Sequence, residues 1–266
     1  MTKGGLGEHG RLEAGGRCYE FVKYGVSNEC APTLVLMHEG LGSATMWGGF
    51  PARLHEVTRM PVFAFSRAGY GFSDDDEASW TAEFMHRAAR NELPVVLEAA
   101  QVGSFWLVGH SDGGSISLIY AGSPEHRRPD LKGLVLMAAH VFNEPVCIAG
   151  IEAANAAYST TGLRDALMRY HGDRVDSVFE RWRDIWLAPE FEHWNIEAFL
   201  PHIDCPVMVV QGHDDPYGTL DQVTAIEAGL SVAVETLVVK ECGHSPHRDH
   251  LDATVARVAA FLEEFG

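Results

Sequence analysis

The sequence predicts an α/β protein, a mostly parallel sheet wrapped on both faces by helices. Three observations point there. Short apolar runs recur along the chain at 33–37, 61–65, 105–108, 131–138, 206–211 and 232–239. Segments of helical period separate most of them, and that alternation is the mark of a parallel sheet. The glycine-rich motifs stand at the carboxyl ends of the runs, where ligands bind in such sheets.

In chain order, residues 1–10 are glycine-rich and expected to be loose. Gly15-Gly16 separates two short strand-like stretches and reads as a hairpin turn. The run 33–37 is continuously apolar, as a buried parallel strand requires. It ends in His38-Glu39-Gly40-Leu41-Gly42-Ser43, followed by a short helix expected over 46–54. The strand 61–65 runs into Ser66-Arg67-Ala68-Gly69-Tyr70-Gly71-Phe72-Ser73. The acidic patch Asp74-Asp75-Asp76-Glu77 reads as a solvated loop. A long helix is expected over 81–100, kinked or split at Pro94.

The pattern changes over 141–201, where no strand-like run occurs. Candidate helices are 145–157, 163–171 and 175–187. Phe179, Trp182 and Trp186 share one helix face. The segment reads as a helical cap inserted between two strands, able to cover the strand ends. Strand and helix then alternate again, with helices at 220–229 and 251–265. The expected organisation is one domain, 1–266, with the cap insertion at about 141–201.

The chain has 266 residues, 46% apolar and 21% charged, with a formal net charge of -17. Such an acidic surface disfavours nucleic acid and anionic membranes. No run approaches the roughly 18 apolar residues that span a bilayer. The N-terminal stretch has no apolar core and reads as neither a secretion signal nor an anchor. Cys18, Cys30, Cys147, Cys205 and Cys242 are widely spaced with no C-x-x-C pair, which reads as reduced thiols. The expectation is a cytoplasmic protein acting on a small-molecule substrate, with no nucleic-acid or membrane partner and an oligomeric state left open.

The chemistry centres on Gly109-His110-Ser111-Asp112-Gly113-Gly114, between an apolar strand and a helical segment. A serine at a sharp strand-to-helix turn is strained and exposed, so its close neighbours must lack side chains. The helix it opens aims free N–H groups at a developing oxyanion. An acid and a histidine follow in order. Asp214-Asp215 lies after the strand 206–211, and His244 lies after the strand 232–239. One helix and one strand separate them, so adjacent strand ends bring them together. The histidine can take the proton of Ser111, and the aspartate can fix the imidazole tautomer. Asp215 is favoured over Asp214 because Pro216 fixes the backbone after it.

The spacing of His244, His247 and His250 invites a metal reading. Pro246 interrupts the helix that would align them, and no further ligands complete a set, so neither metal nor cofactor is expected. His38 and His110 read as structural hydrogen-bonding groups. Trp47, Trp182 and Trp186 are the candidate substrate-binding side chains.

These motifs together resemble the α/β-hydrolase superfamily, in its capped, serine esterase-like branch. The resemblance runs from about residue 18 nearly to the end. It implies Ser111 as nucleophile, His244 as base and Asp215 as the orienting acid. It implies an oxyanion hole from the N–H of Asp112 and that of Gly40 or Leu41. Two positions depart from the common pattern. Glu39 stands where glycine usually follows the histidine, and Ser66 stands where an acid usually precedes the arginine. Ser245 after His244, in place of tryptophan, argues against the branch that hydrolyses C–C bonds, and Ser111 excludes a nucleophilic aspartate. The expected function is hydrolysis of a small, neutral carboxylic ester, lactone or thioester through an acyl-enzyme on Ser111. The alternatives are a C–C hydrolase, a cofactor-free haloperoxidase-like enzyme, or a ligand-binding receptor on the same scaffold.

Overall fold

The computed structural model describes residues 7–26, 31–75, 80–123 and 130–266. Eight strands form one sheet: β1 (Glu8–Ala14), β2 (Arg17–Tyr24), β3 (Thr33–Met37), β4 (Val62–Phe65), β5 (Phe105–His110), β6 (Leu131–Met137), β7 (Val207–Gly212) and β8 (Val234–Val239). Their order is β1-β2-β4-β3-β5-β6-β7-β8. The hairpin strands run antiparallel to each other, and β2 runs antiparallel to β4; from β4 to β8 all pairs are parallel.

Every residue of β3, β4, β5 and β7 is buried, which explains why these strands read as unbroken apolar runs. Alternate residues serve two cores. Val35, Leu107, Leu136 and Val209 face one side. Leu34, Leu36, Val108 and Val210 face the other, against helices α1 (Phe50–Thr58) and α10 (Leu251–Phe265). From β3 the chain passes to β4 on one side of it, then crosses back to β5 on the other. That reversal opens a crevice at the carboxyl ends of β3 and β5.

On the first face lie α2 (Phe84–Arg87), α3 (Leu93–Ala99) and α4 (Asp112–Gly122). Between β6 and β7 come α5 (Pro145–Tyr158), α6 (Leu163–His171) and α7 (Val175–Trp186) with short 3₁₀ turns. After β7 the chain forms α8 (Leu220–Gly229), and after β8 it forms α9 (Pro246–Asp249) before α10. The apolar stripe of α7 is buried: Phe179 stacks on Tyr158 at 3.7 Å, and Trp186 packs against Phe191 and Trp194. Among the described residues no helix is long and apolar enough to cross a membrane.

Several expectations need correction. Of the stretch 1–10 expected to be loose, residues 8–10 belong to β1, and residues 1–6 lie outside the described residues. The first helix begins at Phe50, not 46, because Gly48 has φ 60° and Pro51 suits a first turn. The helix expected over 81–100 is three pieces. A π turn at Ala88–Glu92 separates α2 from α3. Pro94 has no N–H for the carbonyl four residues back, and the wider turn absorbs the mismatch. The single turn α9 was not anticipated. In the acidic patch, Asp74 bonds Arg11 and the N–H of Cys18 at 3.0 and 2.8 Å, and Asp75 pairs with Arg181. Asp76 and Glu77, like Cys30, lie outside the described residues.

Candidate active site

Ser111 sits between the last residue of β5 and the first of α4, with φ 53° and ψ -120°. Its carbonyl accepts the N–H groups of Gly114 and Ser115, which starts the helix at once. The two flanking glycines are steric necessities. A Cβ on Gly109 would lie 2.4 Å from the Gly113 oxygen, and one on Gly113 would lie 1.9 Å from the Met37 oxygen. The turn therefore presses β3, β5 and α4 together. Asp112 is the first residue of α4, so its N–H has no acceptor inside the helix.

The acid and the histidine meet as expected. His244 Nδ1 lies 2.9 and 2.8 Å from the two carboxylate oxygens of Asp215. Gln211 Nε2 and the N–H of Tyr217 each donate to that carboxylate at 2.8 Å. Burial pushes the Asp215 carboxyl up, but the hydrogen bond and charge of His244 outweigh it and hold the group below its ordinary range. An ionised Asp215 receives the Nδ1–H, leaving Nε2 of His244 as the proton acceptor. Gly212 makes the approach possible, since a Cβ there would lie 1.9 Å from the Gly243 oxygen. Asp214 points away: its exposed carboxylate bonds His213 at 2.8 Å, and its N–H ties to the Cys242 oxygen.

Ser111 and His244 line one cavity of about 160 Å³, with Gly40, Leu41 and Asp112 on its wall. From the helical segment, Cys147, Ile151, Trp182 and Trp186 close it. Trp47 does not reach it. Its ring is 2% exposed and stacks on Phe50 and against His247, on the opposite sheet face. A larger cavity, about 310 Å³, is lined by Arg67, Tyr70 and Trp80 and holds none of Ser111, Asp215 and His244.

The Gly40-Leu41 loop is held from three sides. His38 Nδ1 donates to the Glu39 carbonyl at 2.7 Å, and its Nε2 accepts the Arg67 N–H at 3.0 Å. Arg67 Nη2 donates to the Glu39 carbonyl at 3.1 Å and lies 3.4 Å from Asp112 Oδ2. His171 of α6 donates to the Leu41 carbonyl at 2.9 Å and accepts the Gly71 N–H. Glu39 itself pairs with His110, Oε2 to Nδ1 at 3.3 Å. Burial pushes the Glu39 carboxyl up, but the His110 hydrogen bond and charge more than offset it, holding it well below the usual range.

Sequence reasoning missed Gln211, which holds Asp215, and Tyr217, His140, Cys147 and Ile151, which line the cavity. The last two are four apart on α5, so they share a face; that spacing was the available signal. Among the described residues no group of three or more His, Cys, Asp and Glu side chains is placed to hold a metal ion.

The alpha/beta hydrolase family profile matches residues 34–257. The chain is 26% identical over 164 residues to the mouse serine hydrolase BPHL, covering 59% of this chain and 54% of that protein. It thus spans about half the length of that curated relative. Among solved structures, a bacterial membrane phospholipase A superposes with a TM-score of 0.80 at 20% identity, over 97% of this chain and 86% of that one. The enol-lactonase of Burkholderia xenovorans LB400 superposes with a TM-score of 0.70 at 17% identity, over 96% and 100%. At such identities these two likenesses show a shared fold.

Proposed function

The chain belongs to the alpha/beta hydrolase family, and on that premise we propose that it is a serine hydrolase of small, neutral carboxylic esters, lactones or thioesters. The observation that carries this reading is that His244, held by Asp215, lines the same cavity as Ser111. His244 takes the Ser111 proton as the hydroxyl oxygen attacks the carbonyl carbon. The developing oxyanion is met by the N–H of Asp112 and that of Gly40 or Leu41, all residues of the cavity wall. His244 then gives its proton to the leaving oxygen or sulfur. Water, activated by the same ring, attacks the acyl carbon and frees Ser111. The residues 141–201 act as a cap whose Trp182 and Trp186 roof the acyl group. A neutral substrate fits because the carboxylates on the wall are already matched, Glu39 by His110 and Asp112 by Arg67.

An organophosphonate probe tests this. Intact-mass and peptide analysis should place one adduct on Ser111, and Ser111→Ala should abolish it. A panel of esters, lactones and thioesters then ranks the substrates. Labelling at another residue, or tight binding with at most one turnover, overturns the reading; the second result favours the receptor.

A further inference from the structure

Resting on the serine-hydrolase reading above, we infer that His110 is a positioning residue that works as a buried imidazolium, fastening the Glu39 loop and the His244 loop to the nucleophile strand. The hydrogen-bond count requires it. Nδ1 of His110 lies 3.3 Å from Glu39 Oε2, and Nε2 lies 2.7 Å from the main-chain oxygen of His244. A carbonyl oxygen and an ionised carboxylate only accept, and a neutral imidazole has one N–H to give. Both contacts exist together only when both ring nitrogens carry protons. Burial opposes that charge, but Glu39 outweighs it, so the His110 ring stays protonated above the ordinary histidine range.

The His244 ring lies 5.0 Å from that of His110, and the charge it gains when it takes the Ser111 proton is met by Asp215. His38, on the same loop as Glu39, is neutral, since one nitrogen donates and the other accepts. His247 of α9 meets the His110 ring edge-on at 4.6 Å, and burial pushes its charging well down. Arg67 faces Asp112, and Asp215 faces His244. Trp47 supplies an uncharged wall at 6.3 Å. Gly42 makes room for the carboxylate: a Cβ there would lie 2.6 Å from Glu39 Oε2.

His110 precedes Ser111, Glu39 precedes Gly40, and the third contact is to the main chain of the base. One ring therefore sets the spacing of nucleophile, oxyanion donors and base. Its raised folded pKa gives stability that is full below the unfolded histidine value and is lost as pH rises through the folded one. Loss of either N–H must release one loop, so the alkaline limb of kcat/KM reports His110.

Three measurements test this. Long-range ¹H–¹⁵N spectra at pH 7, above the ordinary histidine value, should show His110 with both ring nitrogens protonated, assigned by its shift in Glu39→Gln rather than by deleting the ring. In Glu39→Gln the alkaline limb of kcat/KM should move to lower pH by about one unit or more, because the charge favouring the cation is gone. The double variant Glu39→Gln/His110→Gln should recover at least about tenfold in kcat/KM over His110→Gln, which leaves a buried carboxylate unpaired. A His110 ring neutral at pH 7, or an unmoved alkaline limb, overturns the inference. The spectra need no turnover, so they stand even if the phosphonate misses Ser111; that miss refutes the hydrolase reading alone.

Discussion

Ser66 Oγ donates a 2.6 Å hydrogen bond to Glu20 Oε2, across the junction of β2 and the loop after β4. The acid expected immediately before Arg67 is thus supplied from another strand. The same Ser66 oxygen accepts the Ala44 N–H at 2.8 Å, and Glu20 Oε2 accepts the Phe72 N–H at 3.1 Å. Gly71 permits the cluster, since a Cβ there would lie 2.3 Å from that carboxylate. We expect Glu20→Ala to cost about 1–3 kcal/mol in urea unfolding, because it strands Ser66 and a loop N–H. Peptide mapping of the phosphonate adduct should still find Ser111.

The two neighbouring aspartates should separate sharply in a steady-state assay. Asp215→Asn is expected to lower kcat by about 10⁴, because an amide stabilises the wrong tautomer of His244. Asp214→Asn should change it less than about twofold, as befits an exposed side chain. Because the Asp215 carboxyl is held below its ordinary range, its contribution to stability is present above the unfolded aspartate pKa. It is lost as pH falls through the folded value. Acid unfolding of Asp215→Asn should therefore lack part of the wild-type slope.

Gly113→Ala should fail to fold or lose more than about 4 kcal/mol, since the added methyl meets the backbone of β3 and not a yielding side chain. Gly103→Ala has nothing within 4 Å of the added carbon and should stay within about 0.5 kcal/mol of wild type. Circular dichroism melts of the pair check this.

Trp186 and Trp47 are both buried, but only Trp186 borders the cavity. Either alanine variant should cost about 3–5 kcal/mol. Only Trp186→Ala should also change the ranking of acyl chain lengths. If both change it, or neither does, the roof assigned to the cap is wrong.

Much of this was legible from periodicity. The runs on β3, β5 and β7 announce a sheet buried on both faces, and 163–171, 220–229 and 251–265 are helices to the residue. The order of Ser111, Asp215 and His244 was legible because each follows its own strand. Trp47 was misplaced because an apolar pattern says that a side chain is buried, not which face of the sheet buries it. The links from Glu20 to Ser66 and from Glu39 to His110 were invisible, since each joins residues far apart in sequence. The π turn escaped because proline marks a break without specifying how the backbone accommodates it.

The backbone of Ser111, at φ 53° and ψ -120°, is a conformation that glycine adopts freely and serine does not. A scaffold needed only to enclose a ligand would gain by relaxing there. The serine therefore marks a trade of thermodynamic ease for a fixed oxygen. It also separates two inactive variants that are often treated as equivalent. Ser111→Gly should raise the melting temperature while freeing the elbow, so that the Asp112 N–H loses its aim. Ser111→Ala removes the oxygen and leaves the torsions as they are, which makes it the form in which to trap an uncleaved substrate for diffraction.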